Sequence, residues 1–371
     1  MRTGQQLFFH PEEYFAGLIE DIDNAQTRIA LEMYIFELDK VGNRVLAALE
    51  RAAARQVRLQ VLIDGVGSYR DANAIATRLD TAQCELRVFH PLPWDFALYR
   101  RALGAGRGIS RILYFLASVN HRDHRKLCII DGKTAWLGSY NITDDHFDLH
   151  STRADDYWHD TGLRVTGPVV NRLATNFSEV WERKTGNLRK RSLYFLSGDE
   201  VRRRRQRKLQ LVQVLALARQ RVWITNAYFN PTYRVLRALK TCASNGVSVK
   251  LIVPARSDVV FFPLLARSYY SDLLQAGIQV YEYDKRVLHS KTMVIDDQAL
   301  VGSTNLNYRS LFHDQELDLL IDDGDIVSRL QSRFEQDIED CREITLLRNP
   351  RRHPLLIRPL GWLARFLRYW L

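Results

Sequence analysis

The chain carries one long motif twice, and this duplication limits its fold more than any other feature of the sequence. The first copy, HRDHRKLCIIDGKTAWLGSYN, covers residues 121–141, and the second, LHSKTMVIDDQALVGSTN, covers 288–305. Both read His-x-Lys, then a short apolar run that ends in Asp, then Gly-Ser-x-Asn. Two copies so well matched, one in each half of the chain, predict two half-sites that face each other.

The repeat extends upstream of the motif. RIALEMYIF (28–36) resembles RVWITNAYF (221–229) in pattern, and an amphipathic helical stretch and an alternating strand follow each of them. The motif segments themselves are typical of strand hairpins that turn at Asp-Gly or Asp-Asp. Strands that alternate with helices indicate an α/β fold with a largely buried sheet. The duplication predicts two such lobes, related by a pseudo-twofold axis.

The 371 residues are long enough for two domains of ordinary size. We expect a first lobe over 1–185, a basic linker over 186–208, a second lobe over 209–345 and a basic amphipathic tail over 346–371. The linker is either a solvated loop or helix, or a patch that faces phosphate. An apolar segment over 92–118 is present only in the first half, and it is either a packed helix with a loop or a rim over the site entrance.

The formal net charge of +10 predicts attraction to polyanions, whether nucleic acid, an anionic membrane or phosphate-bearing substrates. The most apolar stretch, ILYFLASV at 112–119, is too short to span a bilayer. These features indicate a soluble basic protein.

Metal centres and disulfide frameworks do not fit the spacing of the cysteine and histidine residues. His146 and His150 lie four apart, but no third ligand follows by spacing, so we read them as exposed loop histidines. Four cysteines are too few and too scattered for a disulfide framework or a zinc site: Cys84, Cys128, Cys242 and Cys341.

The His-x-Lys pairs carry the chemistry of the motif. On a strand, alternation places His124 and Lys126 on one face, and it does the same for His289 and Lys291. A neutral imidazole is a good nucleophile and proton carrier near neutral pH. A lysine beside it supplies a positive charge for a phosphate oxygen.

Each motif closes on groups that can bind phosphate. Asn141 and Asn305 supply amide donors, and Ser139 and Ser303 supply hydroxyls. Two converging sets would hold a phosphodiester between two histidines. One histidine would attack phosphorus and form a phosphohistidine, and the other would protonate the leaving alkoxide. We expect neither a metal ion nor another cofactor.

The doubled signature resembles that of the phospholipase D superfamily, over nearly the whole chain. The stretches LEMYIF, LIDGVGS, MVIDDQALVGSTNLNYRS and ELDLLI are similar to the bacterial cardiolipin synthases, in particular to the short type without N-terminal membrane spans. The resemblance implies two phospholipase D-like α/β lobes with one active site at their junction. It also implies six catalytic residues: His124, Lys126, Asp131, His289, Lys291 and Asp296.

Further roles follow from the same resemblance. It favours His124 as the nucleophile and His289 as the general acid and base, although the order of the two stays open. Members of the superfamily orient each histidine with a carboxylate, for which Glu316 fits in the second half and Asp160 in the first. Two other carboxylates compete for the first-half role: Asp155 and Asp156. As turn residues, the motif aspartates Asp131 and Asp296 are alternatively structural.

The tail RRHPLLIRPLGWLARFLRYWL (351–371) bears on the choice of substrate. It gathers apolar side chains on one side of a helix and arginines on the other, which is typical of an interfacial helix in anionic headgroups. The alternative is a helix that docks on protein.

We therefore expect phosphatidyl transfer between phospholipids, with phosphatidylglycerol as donor and acceptor and with release of glycerol. Phosphatidylethanolamine is an alternative second lipid. The expected partner is an anionic membrane surface, with no nucleic acid, and the expected location is peripheral, on the cytoplasmic side of a bacterial inner membrane. The competing reading is a phospholipase D or nuclease of the same superfamily that hydrolyses phosphodiesters.

Overall fold

The computed structural model describes residues 4–92, 94–102, 121–147, 157–182, 195–197, 201–259 and 261–346. The chain divides into two compact units. The first unit comprises residues 1–156, 161–192 and 314–316, and the second comprises 157–160, 193–313 and 317–371. Each unit therefore includes a short segment that comes from the other half of the sequence.

The first unit contains a seven-stranded sheet in the order β1-β7-β6-β5-β2-β3-β4. Strands β2, β3 and β4 are parallel, and the remaining pairs are antiparallel. Its elements are β1 Gln5–Phe8, α1 Pro11–Asp23, β2 Arg28–Met33, α2 Lys40–Ala54, β3 Arg58–Asp64, α3 Ala72–Arg78, β4 Cys84–Phe89, α4 Phe96–Tyr99, β5 Lys126–Ile130, β6 Thr134–Gly138, β7 Gly162–Thr166 and α5 Pro168–Trp181.

Local sequence explains these elements. The central strands are buried almost throughout, as expected for strands covered on both faces. Helix α2 begins at its N-cap Asp39, whose carboxylate accepts the Gly42 N–H at 2.8 Å. Helix α1 packs an aromatic cluster against the sheet, in which the Tyr14 ring stacks on Tyr140 at 4.6 Å and meets Trp136 edge-on at 5.2 Å.

The second unit contains an eight-stranded sheet in the order β15-β11-β10-β9-β12-β13-β14-β8. Strands β9, β10 and β11 are parallel, and the remaining pairs are antiparallel. Its elements are β8 Phe195–Ser197, α6 Val201–Leu217, β9 Arg221–Asn226, α7 Tyr233–Ser244, β10 Ser248–Pro254, α8 Phe262–Arg267, α9 Tyr270–Gln275, β11 Gln279–Tyr283, β12 Lys291–Ile295, β13 Gln298–Gly302, α10 Tyr308–Phe312, β14 Leu317–Ile321, α11 Gly324–Glu339 and β15 Cys341–Ile344.

The two sheets share one topology. Strands β6-β5-β2-β3-β4 of the first unit correspond in order and direction to β13-β12-β9-β10-β11 of the second. The repeated motif forms the hairpin β5–β6 in one unit and β12–β13 in the other. The α/β class expected from the sequence is thus confirmed, and the repeat is a repeat of structure.

Several expected features fall partly or wholly outside the described residues. Within the segment expected as a basic linker, strand β8 and the start of helix α6 are regular structure. The tail lies outside the described residues from 347 onward, and so does most of the apolar segment, at 93 and 103–120. In the ranges described, no helix is both long enough and apolar enough to cross a membrane.

Candidate active site

In the first unit, His124 lies beside the carboxyl end of β2. Lys126 opens β5 and pairs with Met33, the last residue of β2, and His124 comes two residues before it. The His124 Nδ1 atom lies 3.1 and 3.0 Å from the two carboxylate oxygens of the fully buried Glu316. A carboxylate can only accept a hydrogen bond, so Nδ1 carries the proton and Nε2 carries the lone pair of the neutral ring.

In the second unit, His289 repeats this arrangement. Lys291 opens β12 and pairs with Asn226, the last residue of β9. The His289 Nδ1 atom lies 2.8 Å from Oδ1 of the buried Asp160. The ring also packs against Trp158, with centroids 5.6 Å apart. Each unit therefore holds one buried imidazole oriented by one buried carboxylate.

Equivalent backbone bridges hold the two carboxylates in place. Gln315, which precedes Glu316, donates its N–H to the backbone two residues before His124 at 2.8 Å and accepts the His124 N–H at 2.9 Å. His159, which precedes Asp160, makes the same two bonds on either side of Leu288, again at 2.8 and 2.9 Å. The position of each carboxylate is therefore set by main-chain pairing.

The partners are exchanged between the halves of the sequence. We expected Glu316 behind the second-half histidine and Asp160 behind the first-half histidine, but Glu316 contacts His124 and Asp160 contacts His289. This pairing expectation is wrong because residues 314–316 belong to the first unit and 157–160 to the second. The competing carboxylates at 155 and 156 lie outside the described residues.

Each motif lysine is held by its own histidine. The buried Lys126 Nζ donates to the His124 carbonyl at 2.6 Å and lies 5.0 Å from the centre of the Tyr34 ring. Lys291 Nζ likewise donates to the His289 carbonyl. Each ammonium group thus contacts the backbone of its own histidine, which lies two residues before the strand that the lysine opens.

Asp131 lies at the other end of strand β5, about 16 Å along the chain from Lys126 at roughly 3.3 Å per residue. Its carboxylate accepts the backbone N–H groups of Gln26, Thr27 and Arg28 at 2.9, 2.8 and 3.0 Å. Partial burial by itself raises the pKa of Asp131, but these N–H groups together outweigh it and hold the pKa below its usual value.

Asp296 does the same in the second unit, because its carboxylate accepts three successive N–H groups at the start of β9: Arg219 at 2.8 Å, Gln220 at 2.8 Å and Arg221 at 2.9 Å. Both aspartates also have positive φ angles, +53° at Asp131 and +52° at Asp296, at the turn of each hairpin. These contacts favour the structural alternative over a catalytic role: both aspartates tie the hairpin turn to the start of a parallel strand.

The motif serines also link strands. The Ser139 hydroxyl accepts the Thr161 N–H at 3.0 Å and donates to the Thr161 carbonyl at 3.3 Å. The Ser303 hydroxyl makes the same pair of bonds to Leu317, at 3.0 and 3.4 Å. Each hydroxyl thus links its strand to the backbone of the next one, and the phosphate-binding role expected for the serines stays a prediction.

The motif asparagines remain candidates for phosphate binding. Asn141 and Asn305 are buried, and neither side-chain oxygen has a hydrogen-bond partner among the described residues. The Asn141 N–H donates to Nε2 of His146 at 2.9 Å. His146 is fully buried, so our reading of it as an exposed loop histidine is wrong. His150 lies outside the described residues.

A buried ionic network fixes the segment that carries Glu316. Arg125 is fully buried, forms an ion pair with Glu32 and binds Asp123 at 3.0 Å. The same guanidinium donates to Oε1 of Gln315 at 2.6 Å. Since Gln315 precedes Glu316, this network indirectly positions the carboxylate behind His124.

Asp64 is a site residue that sequence reasoning missed. It ends β3, is fully buried and accepts the Asp123 N–H at 2.9 Å, one residue before His124. Burial raises its pKa to about 6, against the opposing charge of Arg122. The sequence could have indicated this residue, because an Asp-Gly pair stands at the end of an alternating strand.

In the second unit, the residue before Asp160 is anchored differently. His159 Nε2 lies 2.7 Å from Oδ2 of Asp337 on helix α11, and Arg333 binds the other oxygen of that carboxylate at 3.0 Å. In the second unit, a histidine–aspartate pair thus anchors the segment that carries the orienting carboxylate, as the permanently charged Arg125 does in the first unit.

Two tyrosines were also missed. The Tyr34 ring meets His124 edge-on at 4.8 Å, and the Tyr228 ring meets His289 edge-on at 6.2 Å. Tyr34 is the seventh residue of RIALEMYIF and Tyr228 is the eighth of RVWITNAYF, so each tyrosine closely follows the first parallel strand of its unit.

Comparisons with known proteins identify the family of the chain. The family described as cardiolipin synthase, PLD-like domain, matches residues 18–181 and 211–338. Cardiolipin synthase 1 of Staphylococcus epidermidis is 30% identical over 356 residues, which cover 91% of this chain and 68% of that protein. Cardiolipin synthase of Geobacillus thermodenitrificans is 29% identical over 375 residues, or 96% of this chain and 70% of the relative.

Among solved structures, phosphatidylserine synthase of Haemophilus influenzae has a TM-score of 0.66 at 16% identity, and the match covers 99% of this chain and 95% of that one. At such low identity the likeness shows the fold alone. The superfamily, the α/β fold and the enzyme class expected from the sequence, a phosphatidyltransferase, are confirmed by these matches. The chain belongs to the cardiolipin synthase family of the phospholipase D superfamily.

Proposed function

We propose that this protein transfers a phosphatidyl group from one phosphatidylglycerol to a second, which forms cardiolipin and releases glycerol. The observation that carries the proposal is the pair of His–Lys sets, each with its imidazole hydrogen-bonded to a buried carboxylate, in a chain of the cardiolipin synthase family.

In the first step, Nε2 of His124 attacks the phosphorus of the donor lipid. A nitrogen–phosphorus bond forms, the bond to the glycerol oxygen breaks, and protonated His289 gives its proton to that oxygen. In the second step, neutral His289 takes the proton of a hydroxyl on the acceptor lipid. That oxygen attacks phosphorus and releases His124. One diester replaces another, so the bond energy is conserved.

The flanking groups stabilise charge on the non-bridging phosphate oxygens. Lys126 and Lys291 are held beside their histidines, and the amides of Asn141 and Asn305 can donate to phosphate. Glu316 and Asp160 keep each neutral ring in the tautomer with its lone pair on Nε2. No step of this scheme calls for a metal ion or another cofactor.

The same machinery can use water as the acceptor, which would make the protein a phospholipase or nuclease. Membership of the cardiolipin synthase family favours a lipid acceptor. We propose phosphatidylglycerol as donor and acceptor, phosphatidylethanolamine as an alternative second lipid, and a peripheral position on the cytoplasmic face of an anionic inner membrane. The net charge of +10 supports binding to anionic lipid.

The test is incubation of the purified protein with phosphatidylglycerol vesicles and, separately, with a DNA oligonucleotide. Cardiolipin and glycerol in equal amounts support the proposal. Phosphatidic acid without cardiolipin, or cut DNA, would assign the chain to the hydrolytic members instead. His124→Ala and His289→Ala should each abolish turnover. His10→Ala is the matched control, because His10 is exposed ahead of α1 and should leave turnover at the parent rate.

A further inference from the structure

Large exposed apolar side chains in the described residues fall into two groups. All the aromatic ones follow the carboxyl ends of parallel strands, after β3, β4, β9 and β10: Tyr69 (57% exposed), Trp94 (64%), Tyr233 (72%) and Phe261 (38%). The aliphatic ones are leucines on helix α6 or after strand β15: Leu209, Leu217 and Leu346. We call the first group the rim aromatics.

The rim aromatics lie on the sheet edge that carries the histidines. In the first unit, Lys126 pairs with the last residue of β2, and β2, β3 and β4 run parallel, so Tyr69 and Trp94 emerge at that same edge. In the second unit, Lys291 pairs with the last residue of β9, and Tyr233 and Phe261 follow β9 and β10. By contrast, Leu217 and Leu346 lie at the amino ends of the strands.

Arginines accompany the rim aromatics. Arg70 follows Tyr69 and Arg256 lies in the loop before Phe261, and 78% of each arginine side chain is exposed. Both make exposed ion pairs, Arg70 with Glu37 at 3.9 Å and Arg256 with Asp284 at 2.8 Å. Such pairs contribute little in water, so a lipid phosphate can replace the carboxylate.

This composition fits a lipid surface. Tyrosine and tryptophan combine an apolar ring with a polar tip, which suits them to the boundary between headgroups and acyl chains, and arginine binds phosphate. A protein partner would be met by aliphatic side chains as well, but the large exposed leucines of the described residues all belong to the second unit and lie on helix α6 or after strand β15. A lipid-transferring site also needs its substrate delivered at the edge where the histidines lie.

We propose that the rim aromatics insert into the headgroup layer of an anionic bilayer and seat the histidine-bearing edge of each unit on the membrane. This inference rests on the proposed function and adds the binding surface that serves it. It concerns Tyr69, Trp94, Tyr233 and Phe261, and it is independent of the tail.

The experiment measures co-sedimentation with vesicles that contain phosphatidylglycerol and phosphatidylcholine. The double variants Tyr69→Ala/Trp94→Ala and Tyr233→Ala/Phe261→Ala should each lower the partition coefficient by at least about tenfold, since each removes two inserted rings. The matched control Leu217→Ala/Leu346→Ala, which also removes two exposed apolar side chains, should stay within twofold of the parent.

A second measurement separates this inference from the proposed function. Transfer from monomeric short-chain phosphatidylglycerol should be unchanged in the rim variants, because their side chains do not take part in the chemistry. Vesicle binding that depends on the rim aromatics in the absence of any transfer would overturn the proposed function and leave the membrane surface standing. Equal binding by parent and rim variants, or an equal loss in the leucine control, would overturn the membrane surface itself.

Discussion

Replacing Glu316 by Gln tests how much the buried carboxylate contributes to catalysis at His124. Both Glu316 oxygens lie within 3.1 Å of Nδ1, Glu316 is 0% exposed, and the His124 side chain is only 11% exposed. Solvent therefore screens the pair weakly. When Nε2 attacks phosphorus, the ring gains positive charge that the carboxylate stabilises.

The size of the effect follows from Coulomb's law. Two unit charges about 4 Å apart interact by about 4 kcal/mol at an effective dielectric constant of 20. An amide keeps the shape of the side chain but removes the charge, and its NH2 group can force the proton onto Nε2. We expect kcat to fall by about 10²- to 10³-fold, which corresponds to about 3–4 kcal/mol, with little change in KM for phosphatidylglycerol.

The assay is steady-state cardiolipin formation by Glu316→Gln, with the folded fraction measured by thermal unfolding. Glu282→Gln is the matched control. Glu282 is as buried as Glu316, but its carboxylate binds the side chains of Arg267 and Tyr270 instead of a histidine. That variant should lose stability and keep the kcat of its folded fraction. A Glu316→Gln enzyme within threefold of the parent kcat would refute the orienting role.

Three further predictions concern residues that hold the strands and turns around the histidines in place. Asp131→Asn should lower the free energy of unfolding by about 1–2 kcal/mol and leave kcat of the folded enzyme near the parent value, since the carboxylate binds backbone N–H groups. Because the folded pKa of Asp131 is depressed, its contribution is present above the ordinary pKa and is lost as pH falls through the folded value, so parent and variant should converge in acid urea titrations. For Asp64 the pH dependence of stability is reversed. Because its folded pKa is raised to about 6, its contribution to stability is complete below the unfolded pKa of about 4 and is lost as pH rises through about 6. Asp64→Asn should lack this dependence in the same titrations. Gly138→Ala should destabilise more than Gly132→Ala in thermal unfolding, because a Cβ at 138 would lie 2.3 Å from the Thr161 carbonyl oxygen, whereas one at 132 meets nothing within 4 Å; equal losses would contradict the close approach.

The sequence was sufficient to identify the residues that each half repeats. The His–Lys pairs could be predicted because their spacing repeats in the sequence, and the hairpins because a short apolar run that turns at Asp-Gly or Asp-Asp is a local property. The α/β class could be predicted because each helix and strand carries its own periodicity.

The partners of the histidines could not be predicted in this way. Glu316 is 192 positions from His124, and it reaches that histidine because residues 314–316 pair with the backbone around Asp123 in the first unit. Such long-range strand pairing leaves no local periodic signal. The motif alone also cannot distinguish a carboxylate that moves a proton from one that binds three N–H groups, as Asp131 does.

We propose that both histidines of one chain act in turn on the same phosphatidyl group. Covalent labelling with phosphorus-32 phosphatidylglycerol tests this, with a denaturing quench at alkaline pH that preserves the nitrogen–phosphorus bond, followed by mapping of the labelled histidine. We expect at most one label per chain, located on His124 and absent in His124→Ala. In His289→Ala the label should accumulate when the donor carries a good leaving group, because such a donor does not need the acid. Label on both histidines of the same chain, or no label in His289→Ala with that donor, would contradict the proposal.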